Sequence, residues 1–378
     1  MWGIFKQEQS YLGVDIGKTS VKIVEMKRVK GQPTLFNYGY SEENEDFATK
    51  NLQLDISKTA RLLKEICSRA GIKTISAVAA LPSFAVFSSV LNLANVDKKE
   101  LADAVMWEAK KVIPLDLEEM ILDWKILEEA QLEQPLAAEI KNKAEIKNKK
   151  EDNESGNGKN DTNYNGNIKI LLTGAPKTLV KKYVAIFKEA KMNLLSLETE
   201  IFSLTRSLIG MDKSIIALVD LGAVNTDISI IAQGLPMFSR SLDSGGIRLT
   251  KAIGDSLKVD FKRAEQFKLD LGFSLGDDAS ASLPAIVTET IAPIINEIKY
   301  SLNLFQQENN KKIEKVILAG GGANLPKIAD YLSSVLDMKI IVGDPWARVV
   351  YPLDLKRALD EVGSKMAIAV GLALRETT

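Results

Sequence analysis

Three glycine turns carry the chemistry that this sequence offers. The first lies in Tyr11 to Lys22, YLGVDIGKTSVK. There Gly17 lets backbone N–H groups approach an anion, and Asp15 can hold a metal ion through water. Thr19 and Ser20 offer hydroxyls, Lys18 adds positive charge, and Lys22 points back along the hairpin. The second turn lies in IALVDLGAVNTDISII, with Asp220, Gly222, Ala223 and Thr226. The third is Gly320, Gly321 and Gly322, followed by Ala323. Its missing side chains let the backbone pass close to a flat base or a phosphate, and the run is expected to open a helix. Any one such turn reads as an ordinary turn, since Gly and Asp are the usual turn formers. Together, and in this order, they imply a nucleotide site. The first two turns would grip the β- and γ-phosphates, with Asp15 and Asp220 holding Mg²⁺ through its waters.

Composition narrows the alternatives. The chain has 378 residues, a net charge of −1, no histidine and one cysteine. The charge balance gives no global field for nucleic acid or anionic lipid. Without histidine there is no Ser-His-Asp or Cys-His site and no imidazole metal ligand. Cys67 alone excludes an internal disulfide framework and reads as a buried small hydrophobe. No apolar run reaches the roughly 18 residues needed to span a bilayer, and MWGIFKQEQS lacks the apolar stretch of a secretory signal. Trp2, Ile4 and Phe5 form a small apolar hook of unassigned role.

The elements that must position these turns follow from periodicity. After the opening hairpin, Gln32 to Tyr40 reads as a third strand, and an acidic turn, Glu42 to Asp46, follows. Ile56 to Ala70 has helical spacing, with Gly71 just past its end. Ser76 to Leu81 is a buried strand closed by Pro82, and Ser83 to Leu93 alternates like another. Asp97 with Glu100 suggests a capping box for a helix reaching Val112. Ile121 to Leu127 reads as a strand. From about 131 to 167 apolar content collapses, with AEIKNK repeated in tandem, and the expectation is a disordered loop. Order resumes at Ile168 with a strand, the helix Lys177 to Lys191, a strand near Leu194 to Glu198, and a helix from Glu200 to about Leu208. Ile215 to Ser241 then repeats the opening strand–turn–strand–strand unit, which suggests two related lobes around one cleft. Helices at Gly246 to Leu257, Phe261 to Leu271 and Pro284 to Gln307 follow. Val316 to Ala319 leads into the third turn and a helix to Leu336, and the strand Lys339 to Val342 and the helix Gly363 to Arg375 come last.

These motifs resemble the actin, chaperone-ATPase and sugar-kinase superfamily, and within it the FtsA and PilM branch. The likeness to the PilM family rests on WEAKKVIPLDLEEMILDW (Trp107 to Trp124), FSRSLDSGGIRLTKAI (Phe238 to Ile253), AEQFK (Ala264 to Lys268), EIKYSLNLF (Glu297 to Phe305) and GDPWARV (Gly343 to Val349). The resemblance implies an α/β, actin-like ATPase fold: two RNase H-like lobes around a nucleotide cleft, with an inserted subdomain. The first lobe would take residues 1–82, 177–209 and 360–378, the insertion 83–176, and the second lobe 210–359. It implies ATP and Mg²⁺ as cofactors, with Asp15, Gly17, Lys18, Thr19, Ser20 and Lys22 in the first loop and Asp220, Gly222, Ala223 and Thr226 in the second. Gly245 and Gly246 would lie at the lobe hinge, Glu265 and Lys268 would bracket ribose and adenine, and Gly320 to Ala323 would line the base. Glu200 matches the position that orients the attacking water; an acid at a helix start is also favourable simply as a solvated residue.

Two departures from the superfamily pattern matter. Lys18 stands where relatives carry Ser or Thr, and Ala223 and Val224 replace a carboxylate and a glycine of the second loop. They imply firm ATP binding and weak hydrolysis. The expected partner is a PilN-like inner-membrane protein, whose cytoplasmic N-terminal peptide enters a groove at the inserted subdomain. That places the chain in the cytoplasm, peripheral to the membrane, without nucleic acid and without direct membrane insertion, since it stops at Thr378 short of an FtsA-type tail. Pilus motor ATPases and self-association are further partners that the family admits. An FtsA-like filament protein is the alternative, and a small-molecule kinase lacks a convincing substrate base.

Overall fold

In the opening hairpin, apolar residues alternate into a core and the chain reverses at residues that tolerate it. Strand β1 (Ser10–Ile16) pairs antiparallel with β2 (Val21–Val29), which pairs with β3 (Gln32–Tyr40). Lys30 and Gly31, both at positive φ, make the β2–β3 turn. Helix α1 (Ile56–Arg69) starts where the Asp55 carboxylate accepts the Lys58 N–H, and ends before Gly71 at φ +68°. Strand β4 (Ser76–Leu81) then joins β1 in parallel. The computed structural model describes residues 9–41, 53, 55–94, 100–113, 115–127, 167–275 and 283–377. The apolar hook, the acidic turn, the Asp97 cap and all but the last residue of the loop expected over 131–167 lie outside these residues; Asn167 opens a strand.

The described chain falls into two compact units, Met1–Phe84 with Leu179–Thr378, and Ala85–Thr178. In the second unit, β5 (Phe87–Ala94), α2 (Leu101–Val112), β6 (Met120–Leu127) and β7 (Asn167–Pro176) build an antiparallel sheet of order β5-β7-β6. Leu101, Val105 and Ala109 of α2 pack on Ile168, Ile170 and Leu172 of β7. The alternating stretch from Ser83 is only partly a strand: Ser83–Ala85 is a 3-10 turn, and β5 starts at Phe87.

The first unit contains the repeat. After α3 (Lys177–Ala190), β8 (Asn193–Thr199) completes a five-stranded sheet of order β3-β2-β1-β4-β8. Strands β9 (Ile216–Leu221), β10 (Thr226–Ala232), β11 (Leu235–Leu242), β12 (Lys315–Ala319) and β13 (Ile340–Val342) form a second sheet of order β11-β10-β9-β12-β13. Both sheets have two antiparallel pairs followed by two parallel ones, so the lobes are related by topology as well as by motif. Helices α5 (Gly246–Leu257), α6 (Phe261–Leu275), α7 (Ala285–Asn309) and α8 (Ile328–Leu336) belong to the second lobe, and α9 (Lys356–Thr377) comes last.

Two helices fill the space between the sheets. The short α4 (Glu200–Leu204) runs into a π-helical turn, Thr205–Ile209, where a continuous helix to Leu208 was expected. Ile201 and Leu204 of α4, Ala367, Ile368 and Leu372 of α9, Val78 and Ala80 of β4, and Leu218 and Ile317 of β9 and β12 share one buried cluster. Helix α9 also covers Val24, Met26 and Leu35 through Leu359, Met366, Val370 and Leu374. Gly363 and Gly371 cost this helix about 1 kcal/mol each in propensity. Each buried Leu, Met or Val returns about 1.5–3 kcal/mol, so packing holds it. The glycines have their own use: a Cβ on Gly371 would overlap the Ser203 carbonyl oxygen, and one on Gly13 of β1 would overlap that of Ala369. Close backbone approach at these two points seats α9 against β1 and α4.

Candidate functional site

The ends of β1, β9 and β12 bring the three turns to one cleft of about 740 Å³. From the first turn come Asp15, Gly17, Lys18, Thr19, Ser20 and Lys22. The second supplies Asp220, Gly222, Ala223, Val224, Asn225 and Asp227, and the third supplies Gly320 and Gly321. Each turn is tight for a stated reason. Gly17 N–H donates to the Ser20 carbonyl at 2.9 Å. A Cβ on Gly222 would come within 2.8 Å of the Asn225 carbonyl oxygen. Gly320 adopts φ +79° with its Cα against Leu221 and the Asp220 carboxylate, a place that no larger residue fits.

Several expected residues lie elsewhere. The Thr226 hydroxyl is fully buried and donates to the Ser244 carbonyl at 2.7 Å, so it faces away from the cleft. Gly322 packs on Leu221, and Ala323 is buried behind it. The glycine run does not open an α-helix: Gly321–Asn324 is a 3-10 turn and α8 begins at Ile328. Pro326 and Lys327 intervene, the latter at φ 62°, so no helix N-terminus points into the cleft at the glycines. Gly245 and Gly246 sit on the second turn, with the Gly246 and Ile247 N–H groups donating to the Gly222 and Ala223 carbonyls at 3.0 and 2.9 Å. Beside them, Glu265 and Lys268 pair at 2.8 Å, and both bond the Thr250 hydroxyl. One helical turn between them on α6 places both on one face.

The cleft gathers four carboxyls, Asp15, Glu200, Asp220 and Asp227, and three lysines, Lys18, Lys22 and Lys365. Asp15 is buried and accepts from Lys22 Nζ at 3.1 Å. Facing Asp220 across the β9–β10 ladder is Asp227, where the first lobe has Lys22 facing Asp15. One lobe therefore neutralises its aspartate and the other doubles it. Burial, then the charges of Asp227 and Asp15, pushes Asp220 up to about 7, with Lys22 working against the rise. Asp227 is also raised by burial, offset by Ser241 and Lys18, and its Oδ1 has no hydrogen-bond partner. Glu200 is held well above the usual carboxylate range by burial and by Asp227 and Asp15. Its Oε2 accepts the Ser83 N–H at 2.7 Å. It is a cleft residue facing other acids, which rules out the solvated helix-start reading.

Asp227, Asn225, Gln53 and Phe84 are cleft residues that sequence reasoning missed. Gln53 is anchored by its amide to the Ile16 carbonyl at 2.9 Å. For Asp227 a signal existed: it stands seven residues after Asp220, as Lys22 stands seven after Asp15. Among the described residues, no three acidic or thiol side chains stand close enough to hold a metal ion directly. Yet the raised carboxyls and the orphaned Asp227 oxygen form a surplus of acid that suits a hydrated divalent cation, and the glycine turns suit phosphates.

Comparison with known proteins agrees with this architecture. Residues 13–153 and 157–377 match the family described as type IV pilus assembly protein PilM. Cell division protein FtsA of Enterococcus faecalis is 22% identical over 358 residues, covering 87% of this chain and 77% of that protein. The solved PilM–PilN type IV pilus biogenesis complex superposes with a TM-score of 0.75 at 22% identity, over 97% of this chain and 98% of that one. MreB5 of Spiroplasma citri, solved bound to ADP, gives 0.52 at 13% identity over 97% and 96%. With two topologically matched lobes and a family match across nearly its whole length, the chain has an actin-like fold and belongs to the PilM family of type IV pilus assembly proteins.

Proposed function

We propose that this chain is an ATP-binding scaffold of the type IV pilus inner-membrane platform, held at the cytoplasmic face of the membrane by the N-terminal tail of a PilN-like protein. The observation that carries the nucleotide reading is the convergence of three glycine turns with Asp15, Asp220, Lys18 and Lys22 in one cleft. The related fold of MreB5 holds ADP, and the related PilM is solved in complex with PilN. No helix of the described residues is long and apolar enough to cross a membrane, which suits recruitment through a partner.

The residues divide the work as follows. N–H groups of the Gly17 and Gly222 turns would hold phosphate oxygens. Lys22, fixed by Asp15, would neutralise phosphate charge, and Asp15 and Asp220 would orient the waters of Mg²⁺. Bound Mg²⁺ supplies charge neutralisation between phosphates. Glu200 would orient the attacking water. Burial, Asp227 and Asp15 raise its carboxyl well above the usual range, which disfavours the ionised form that would accept a proton. That supports a site that holds ATP and turns it over slowly, at no more than about 1 per second.

Calorimetric titration of a PilN-type tail peptide, with and without ATP, tests both halves. The expected result is peptide binding whose affinity changes by about fivefold or more with ATP. Absence of peptide binding in both conditions would sink the scaffold reading. Similarity to enterococcal FtsA supports a second reading, a membrane-associated filament protein. Sedimentation with lipid vesicles and ATP, without any peptide, separates the two, since only the filament protein should pellet.

A further inference from the structure

Glu200 stands at the seam between β8 and α4, and the side chain expected to fix that seam does not. Thr199 is the N-cap of α4, yet it makes no capping bond, and its buried hydroxyl has no hydrogen-bond partner. An ion pair spans the seam instead. Arg206 Nη1 and Nη2 donate to the two carboxylate oxygens of Glu198 at 2.8 and 2.9 Å. The two side chains are only 20% and 11% exposed. Arg206 Nη1 also donates to the Gly371 carbonyl of α9 at 2.6 Å. From α9, Arg375 donates to the Ser196 hydroxyl and stands 3.9 Å from Glu198. Glu198 lies before Glu200 in the chain and Arg206 after it, so the pair straps the segment that carries Glu200 across both its ends. The π-helical turn is part of this strap, since Arg206 lies within it.

Such a pair is a poor device for stability, because taking both charges out of water offsets much of their attraction. What a two-pronged pair supplies is direction, since both nitrogens and both oxygens must line up. That direction bears on Glu200, whose own carboxylate is held by the Ser83 N–H at 2.7 Å. We propose that Glu198 and Arg206 are positioning residues for ATP hydrolysis: their two-pronged pair, braced on α9, sets Glu200 where it can orient the attacking water. This rests on the role given to Glu200 above. Neither Glu198 nor Arg206 lines the cleft, so loss of the pair should spare nucleotide binding and reach the chemistry through Glu200. Misplacing a reacting group by about 1 Å can cost about a hundredfold in rate.

The test compares the full chain as wild type, Arg206→Lys, Glu200→Gln and the double variant, all with Mg²⁺. Lysine keeps the charge and loses the fork. Arg206→Lys should slow single-turnover ATP hydrolysis by about tenfold or more and leave the affinity for a non-hydrolysable ATP analogue unchanged. In the ligand-free chain it should speed amide exchange at Ser83, whose acceptor has shifted, by about tenfold. In the Glu200→Gln background it should slow hydrolysis no further, because effects that run through one residue do not add. Analogue binding weakened as much as hydrolysis, Ser83 exchange at the wild-type rate, or full additivity overturns the proposal. Glu200→Gln hydrolysing at the wild-type rate overturns the water-orienting reading, and the proposal with it. A wild type that binds no analogue overturns the nucleotide reading itself. If Arg206→Lys does not fold, Glu198→Gln, which keeps the shape and one acceptor, is judged by the same three readouts.

Discussion

Replacing Asp220 with asparagine should make the ligand-free protein more stable and, at the same time, a worse binder of Mg²⁺–nucleotide. The two effects have one cause. Asp220 sits among Asp15, Asp227 and Glu200, and its carboxyl is pushed up to about 7. In the unfolded chain it would titrate near 3.9. Between those values the folded protein keeps a proton that the unfolded chain has released. Stability from this group is therefore fully present below about 4, falls as pH rises, and is gone above about 7. Asparagine mimics the protonated form at every pH. The gain from Asp220→Asn should thus be on the order of 2 kcal/mol near pH 8 and vanish near pH 4. Urea unfolding at several pH values measures it. Asp212 works in the opposite sense: lowered to about 2 by Lys315 and Ser214, it loses its contribution as pH falls from about 4. The variant should leave that acid limb untouched. With Asp220 in its proposed role of orienting the waters of Mg²⁺, its loss should weaken Mg²⁺–nucleotide by about tenfold to a hundredfold. A stability gain that persists unchanged at pH 4, or unaltered nucleotide affinity, would contradict this account.

Gly13→Ala should be the most damaging small substitution in the sheet. The new Cβ would collide with the Ala369 carbonyl oxygen and lie 2.5 Å from the Ala373 nitrogen. Both are helix backbone, so no rotamer change relieves the contact. Either α9 lifts from β1 or the strand bends, and each opens the cluster of Val24, Met26, Met366 and Val370. Overpacking of this kind costs about 3 kcal/mol. The urea midpoint should fall with an unchanged slope, as for a loss of stability without a change in the unfolded state. Gly31→Ala, at an open turn with nothing within 4 Å, provides the contrast, costing only its left-handed backbone strain.

Much of the fold could be read from residue order, for reasons that are local. The strand–turn–strand units are apolar runs buried on both faces, and their turns use Gly and Asp, so both hairpins can be read to within about two residues of their observed bounds. The equivalence of the lobes followed from the repeated motif, and sheet topology bears it out. Legibility failed where long-range contact decides the outcome. The π-helical turn at Thr205–Ile209 occurs where Arg206 is held by Glu198 at 2.8 Å and by the Gly371 carbonyl at 2.6 Å, far away in sequence. The Thr226 hydroxyl was assigned to phosphate but is taken by Ser244. The glycine run at Gly320 resembles a helix start locally; the proline and the left-handed Lys327 after it delay the helix. Asp227 reads as the first residue of a strand until the two motifs are laid over each other.

The burial of α9 bears on how the molecule is made. Among the described residues it is the last element to leave the ribosome, yet it supplies apolar cover to β1, β2, β4, β9 and β12 together. Until it arrives, each sheet leaves uncovered the face that α9 would bury. Contacts between β1 and α9 span nearly the whole chain, which is the kind of closure that slows folding and leaves intermediates prone to association. Helix α9 also lends Ser364, Lys365 and Ile368 to the lining of the cleft, so the cleft is complete only once this helix has docked.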